Sequence, residues 1–436
     1  MMMDKTDVII VGTGAAGLFC ALKLPENLAV WMITKDKIEI SDSYLAQGGI
    51  ATLKTPADYD DYFEDTVKAG HYKNQKDSVE VMIHSSPQII QELIDYGVEF
   101  ERTEEGLSYT KEGGHSQSRI LHHKDITGQE ITSKLLSRVQ QRKTIRINEY
   151  TTMIDIICEN NICKGVIVQD QKKEVHAIYA KVVVFATGGI GGLFKHSTNY
   201  KYITGDALAI AINHNIELQD VNYIQIHPTA LYSDDVGRRF LISESVRGEG
   251  AILLNPKLER FVDELLPRDI VTAAIKEEMR KYGTPYVYLS MRHLDVQSIK
   301  TRFPNIYQHC LEEGYDLTTD LIPVTPAQHY FMGGIKVDLN GRTSMENLFA
   351  IGETSCNGVH GENRLGSNSL LESLVFAKRA ADVIKENVPQ IKCETVAVDL
   401  TYNQYDDIQS KYKQLVFNEI KRRDRKFYDL WCRNEN

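Results

Sequence analysis

Arg364 stands five residues before Ser369 in the segment Arg364-Leu365-Gly366-Ser367-Asn368-Ser369-Leu370-Leu371-Glu372. A guanidinium keeps its charge and grips a carboxylate through two parallel N–H donors. The segment is a polar turn running into an apolar helix, and a helix N-terminus adds donors for negative charge. Far away in sequence, Gly12-Thr13-Gly14-Ala15-Ala16-Gly17 carries a second chemistry. In that spacing Gly12 permits a tight turn and Gly14 lets the backbone approach a pyrophosphate, while Gly17 lets a helix pack closely on a strand. Both ends of the chain thus carry groups that bind anions.

These residues need elements to hold them. Asp7 to Val11 is a continuous apolar run, as in a buried parallel strand, and it runs straight into the glycine turn. A helix through Leu24, stopped by Pro25, and a second strand from Leu28 to Thr34 complete a strand–helix–strand unit. Residues 78 to 97 read as two short helices split at Ser86-Pro87, with Pro87 opening the second and Gly97 ending it. Lys181 to Ala186 and Asn347 to Ile351 are further apolar strands, closing on Gly188-Gly189 and Gly352. Together they predict an α/β fold in which one Rossmann-like sheet is interrupted by an insertion over about residues 221–331. Beyond residue 385 the chain turns charged and helical, and Lys421 to Lys426 reads as a solvated helix face.

Composition narrows the function classes. A length of 436 residues suggests two domains and a tail rather than one core. The net charge of −10 argues against nucleic acid or an anionic membrane as partner, since both reward a basic surface. No apolar run approaches the ~20 residues a membrane span needs. The seven cysteines are odd in number and never in Cys-x-x-Cys spacing, which suits a reducing cytoplasm and gives no metal or iron–sulfur site.

NAD and FAD both use the glycine turn, and an acid ending the second strand normally holds the ribose. Thr34-Lys35 stands there instead, so Glu353 or Asp206 must be considered for that role. Ala46-Gln47-Gly48-Gly49-Ile50-Ala51 tips the choice toward a flavin, because paired glycines let backbone N–H groups approach a flat ring.

Several segments then recur in a fixed order: Ser43 to Ala51, Glu112-Gly113-Gly114-His115-Ser116, His227-Pro228-Thr229, Arg247-Gly248-Glu249-Gly250, Pro267-Arg268-Asp269, His329 to Gly334, and Arg364 to Glu372. In them the chain resembles the succinate dehydrogenase/fumarate reductase flavoprotein superfamily over about residues 5 to 385. Glu112-Gly-Gly-His-Ser, followed by Arg119-Ile120-Leu121-His122 and Asp125, resembles the branch that oxidises L-aspartate rather than succinate. The resemblance implies an FAD-binding domain of residues 1–220 and 332–385, an α+β capping domain of residues 221–331, and a shortened helical region of residues 386–436. It places Gly12, Thr13, Gly14, Ala15, Ala16, Gly17, Lys35, Asp42-Ser43-Tyr44-Leu45-Ala46-Gln47-Gly48-Gly49, Asp206, Glu353, Ser369 and Leu370 at FAD. It places Arg268 at the proton-transfer arginine, with Glu244 and Arg247 as its relay, and Glu112 at the acid that orients the substrate amine. His227, His329 and Arg364 fall on carboxylate-binding positions, with Ser243 where a threonine hydroxyl is common. Asp42 replaces the histidine to which respiratory members attach FAD, so the flavin is expected to be non-covalent. Glu362 replaces the usual alanine and is expected to put an extra carboxylate beside Arg364.

L-Aspartate has two carboxylates and one ammonium, so its site needs two donor clusters and one acid. Arg364, Arg268, His227 and His329 supply the donors, and Glu112 is the acid that would separate aspartate from succinate. The implied reaction is hydride transfer from the substrate Cα to flavin N5, giving iminoaspartate in the first step of NAD biosynthesis. Oxygen or fumarate would reoxidise the flavin, and quinolinate synthase would receive the labile product. The nearest alternative is a soluble fumarate reductase or succinate dehydrogenase flavoprotein subunit.

Overall fold

The computed structural model describes residues 4–234, 237–400, 405 and 407–432. Its central sheet has seven strands. Ile145–Asn148, Val30–Ile33, Asp4–Val11, Val175–Phe185, Ile162–Gln169 and Thr152–Glu159 follow one another in space, and Leu348–Ala350 also pairs with Val175–Phe185. The strands around Asp4–Val11 are parallel, whereas Ile162–Gln169 pairs antiparallel with the start of Val175–Phe185. Alternate residues feed two cores. Val8, Ile10, Met32 and Val184 join helices Ala15–Lys23, Lys76–Asp95, Thr127–Gln141 and Asn368–Asn387 on one face. Ile9, Val11, Ile33 and Phe185 join helices Asp206–Asn213 and Ile408–Arg423 on the other. Burial on both faces is why these strands read as unbroken apolar runs.

The glycine turn sits where the first strand meets the first helix. Gly12 has φ +115°, and a Cβ there would lie 2.1 Å from the Ala186 carbonyl oxygen. A Cβ on Gly17 would lie 2.3 Å from the Gly12 carbonyl oxygen. Neither position tolerates a side chain, so the helix N-terminus is drawn tightly onto the strand ends.

The expected break at Ser86-Pro87 does not occur: Lys76–Asp95 is one helix with Pro87 inside it. Pro87 has no N–H to give the Ile83 carbonyl, but the buried Ser86 hydroxyl donates to that oxygen at 2.7 Å. The same hydroxyl accepts from the Leu53 N–H at 2.8 Å. Ser86→Ala should therefore cost about 1–3 kcal/mol by stranding both groups, read as a lower midpoint in thermal unfolding.

A second, smaller core lies around an antiparallel four-stranded sheet of Ile224–Leu231, Ile322–Phe331, Val287–Ser290 and Ile252–Leu254. Val271 and Ile275 of helix Arg268–Tyr282 pack on it with Leu289 and Val324. Ile224–Leu231 and Ile322–Phe331 reach from one core to the other: Ile224 and Phe331 belong to the nucleotide-type core, Leu231 and Val324 to the smaller one. Gln225, His227 and His329 stand between the cores on these two strands. A register shift at Gln225/Ile226 leaves His329 bulged between Gln328 and Tyr330, so both His329 and Tyr330 face the same cavity.

The last helices lie against the main sheet through Tyr412, Val416, Phe417 and Tyr428, and Lys421, Arg422 and Arg423 are exposed as expected of a solvated face. No helix among the described residues is long and apolar enough to cross a membrane.

Candidate active site

The strand ends of the main sheet and the two bridging strands enclose one elongated cavity of about 1680 Å³, counting its open mouth. Of the residues expected at cofactor and substrate, all line it except Ala15, Gly17, Tyr44, Arg247 and, as described below, Glu362. Arg247 lies immediately behind, 3.4 Å from Glu244.

The cofactor half begins at the N-terminus of helix Ala15–Lys23, where Gly14 brings no capping side chain, the Ala15 N–H donates to Ser43 Oγ at 3.2 Å, and the N–H groups of Ala16 and Gly17 are left for a ligand. Thr13 Oγ1, Asp42 Oδ2 and Gln47 Oε1 are buried there without a protein partner. At the end of the second strand, Lys35 Nζ lies 2.5 Å from Asp206 Oδ2 and donates to Thr204 Oγ1 at 2.9 Å. The glycine-cleared approach, the open helix end and these orphan polar atoms fit a dinucleotide carrying a pyrophosphate and a polar ring.

Burial pushes the Glu353 carboxyl from its ordinary 4.5 up to about 8, against one hydrogen bond from the Phe331 N–H at 2.9 Å. Burial likewise lifts Asp42 to about 7 and Glu372 to about 7. A folded value above the unfolded one means that stability is full at acid pH and is lost as pH rises through the folded value. For Glu353 the loss runs from about pH 4.5 to about pH 8. Glu353→Gln should flatten that part of the FAD-free protein's pH profile, measured as the difference in melting temperature between pH 6 and pH 9.

The substrate half is a knot of buried charge. Arg268 donates from Nε to Glu244 Oε2 at 2.8 Å and from an η nitrogen to Gln225 Oε1 at 2.8 Å. Arg364 Nε reaches the same Gln225 oxygen at 3.3 Å, its guanidinium lies 4.2 Å from the Tyr330 ring centroid, and an η nitrogen donates to Ser369 Oγ. Gln225 thus sets the spacing of the two guanidinium groups. Burial, reinforced by Arg268, lowers Arg364 to about 10, and it remains a cation at neutral pH. Burial pushes Glu244 up, but Arg268 and Arg247 outweigh it and hold the carboxyl below its ordinary range.

His227 and His329 face each other with ring centroids 5.0 Å apart. Burial and the nearby arginines hold both well below the usual histidine range, so they act as neutral donors. His227 Nδ1 accepts from the Thr229 N–H at 3.2 Å, which puts its proton on Nε2, and that atom has no protein partner. His329 Nδ1 is 2.7 Å from Thr198 Oγ1.

Glu112 is 2% exposed. Its Oε1 accepts from Ser245 Oγ at 2.6 Å and its Oε2 from Ser367 Oγ at 2.7 Å, while Ser243 Oγ lies 3.2 Å from Ser245 Oγ. The loop behind it is fixed by His115, whose Nε2 is 3.0 Å from the Gly366 carbonyl oxygen and whose Nδ1 is 3.0 Å from Arg119. Gly366 faces the centre of the knot, since a Cβ there would lie 2.9 Å from both Glu112 and Glu244.

One expectation fails. Glu362 lies two residues before Arg364, but its side chain is exposed and does not line the cavity, while its N–H donates to the Gly70 carbonyl oxygen at 3.2 Å. Sequence reasoning also passed over Gln225, Ser245, Thr198 and Tyr330. The signal for Gln225 was its place two residues before His227, on a strand whose Pro228 and two-faced burial hide any alternation.

A family model described as an FAD binding domain matches residues 7–370. An E. coli quinol fumarate reductase superposes with a TM-score of 0.85 at 30% identity, covering 94% of this chain and 74% of that one. Fold and cavity together define a flavoprotein of the succinate dehydrogenase/fumarate reductase type that binds FAD. The L-aspartate oxidase of Clostridium perfringens is 51% identical over 96% of this chain and 95% of its own length, and that of Clostridium acetobutylicum is 48% identical over 96% and 97%. The chain belongs to the L-aspartate oxidase family.

Proposed function

We propose that this chain oxidises L-aspartate to iminoaspartate with non-covalently held FAD, and that the residues described above carry the reaction. The observation that supports this most is Glu112: an acid buried among donors for two carboxylates, where succinate would have no cation to offer it. Bound FAD supplies the hydride acceptor at N5 of its flavin ring. Asp42 offers a carboxylate, and no imidazole, where respiratory relatives attach the flavin.

Arg364 and His329 hold one substrate carboxylate, and Arg268 with the unpaired Nε2–H of His227 holds the other. Glu112 draws the ammonium toward the pinned carboxylate and fixes which face of Cα is presented. In the companion half-reaction, fumarate reduction, a proton must reach the second carbon. Arg268 stands to give it, and Glu244 Oε2, 2.7 Å from an Arg268 η nitrogen, stands to restore it with Arg247 behind. Iminoaspartate hydrolyses readily in water, which fits direct hand-off to quinolinate synthase in the cytoplasm.

The test is a closed cycle under argon with the FAD-loaded protein, L-aspartate and fumarate. The expected products are succinate together with equal amounts of oxaloacetate and ammonium from hydrolysed imine. Absence of succinate while aspartate is consumed would contradict use of one site for both half-reactions.

A further inference from the structure

Cys158 and Cys163 lie away from the cavity, on the hairpin of Thr152–Glu159 and Ile162–Gln169. Asn160 and Asn161 form its two-residue turn with φ of 52° and 62°, the left-handed pair that a type I′ turn requires. That turn sets Glu159 opposite Ile162 and Cys158 opposite Cys163. Residues directly opposite in an antiparallel ladder share a face, with Cα atoms roughly 4.5–5.5 Å apart, inside the roughly 4.4–6.8 Å that a disulfide needs. Both cysteines pack into the same core, Cys158 at its partly exposed margin and Cys163 within it.

A base faces only one of them. His214, at the C-terminal end of helix Asp206–Asn213, places Nδ1 3.4 Å from Cys158 Sγ, and its Nε2 lies 2.7 Å from Asp155 Oδ1. Register shifts at Met153/Asp155 and Ile157/Cys158 bring the carboxylate and the thiol to the same imidazole. The order carboxylate, imidazole, thiol fixes the tautomer: Nε2–H donates to Asp155, and Nδ1 is free to accept the thiol proton. Burial, with Asp155 adding to it, raises the Cys158 thiol, and burial pushes Cys163 to about 12. Neither is a standing thiolate, so reaction at Cys158 requires His214 to take its proton.

We propose that Cys158 and Cys163 form a peroxide-reactive thiol pair, with Cys158 attacking, His214 as its base and Cys163 resolving. The oxidant is hydrogen peroxide, which dioxygen becomes on taking two electrons. Cys158 gives its proton to His214 Nδ1 and its sulfur attacks one peroxide oxygen. The O–O bond breaks, and the leaving hydroxide takes the proton from His214 and departs as water. Cys163 sulfur then attacks the Cys158 sulfenic sulfur, and the displaced hydroxyl leaves with the Cys163 proton as a second water. Two thiols lose two electrons, one peroxide gains them, and one S–S bond forms.

The FAD-loaded protein is treated with hydrogen peroxide, blocked with iodoacetamide, digested and mapped by mass spectrometry. The peptide holding both cysteines should lose two hydrogens first, ahead of Cys393, which is also half-buried but has Lys5, Lys181 and Asp7 as charged neighbours in place of an imidazole. Cys163→Ser should leave Cys158 as a sulfenic acid captured by dimedone, and His214→Gln should slow its formation about tenfold or more. Oxidation of Cys393 as fast as Cys158, or an unchanged rate in His214→Gln, overturns the proposal. Peroxide is added directly, so the result does not depend on which substrate the enzyme oxidises.

Discussion

Replacing Glu112 by Gln should abolish most oxidation of L-aspartate while sparing reduction of fumarate. The amide keeps the size of the carboxylate, and the Ser245 and Ser367 hydroxyls that now donate to Glu112 can rotate to suit it. What disappears is the charge that pairs the substrate ammonium. Leaving one partner of a buried ion pair alone costs about 2–5 kcal/mol, which is a loss of about 30-fold to several thousand-fold in kcat/KM for aspartate. Fumarate has no ammonium, so its reduction should fall by less than about tenfold, the worth of one neutral hydrogen bond. Equal losses in both assays would mean that Glu112 supports the loop and does not read the amine.

Arg268→Lys should give the opposite pattern. Lysine keeps the positive charge beside Glu244 but loses the planar fork that reaches Glu244 and Gln225 together. Reduction of fumarate needs a proton delivered to carbon from this position, and a positioned acid contributes about 10²–10⁴-fold. Oxidation of aspartate takes a hydride from Cα and protons from nitrogen, and needs none delivered to the second carbon. Fumarate reduction should therefore drop by about 100-fold or more, and aspartate oxidation by about tenfold from the looser carboxylate grip. Equal falls in steady-state kcat for the two half-reactions would leave Arg268 an electrostatic role alone.

Much of this was legible in the residues because the physics there is local. Asp7 to Gly17 announces a strand, a glycine turn and a helix within one short stretch, and Arg364 to Leu370 announces a guanidinium beside a helix start. The rest depends on contacts between distant segments. Pro87 reads as a helix boundary until the Ser86 hydroxyl is seen to satisfy the carbonyl that proline abandons. Glu362 reads as a site residue from its neighbours, yet its side chain is exposed and its N–H pairs with Gly70, far away in sequence. Asp206 stands at the end of the second strand through an ion pair with Lys35, a contact between segments far apart in sequence. Gln225, which spaces both arginines, sits on a strand buried along its whole length, where side-chain alternation leaves no pattern to find.

The central claim is that Glu112 and the surrounding donors select an amino dicarboxylate. It is tested most directly by loading the protein with FAD, excluding oxygen, and adding L-aspartate and succinate separately while following the flavin absorbance. The account predicts bleaching by L-aspartate and none by succinate. Bleaching by succinate alone would contradict it and move the chain's activity to the fumarate reductase side of its superfamily.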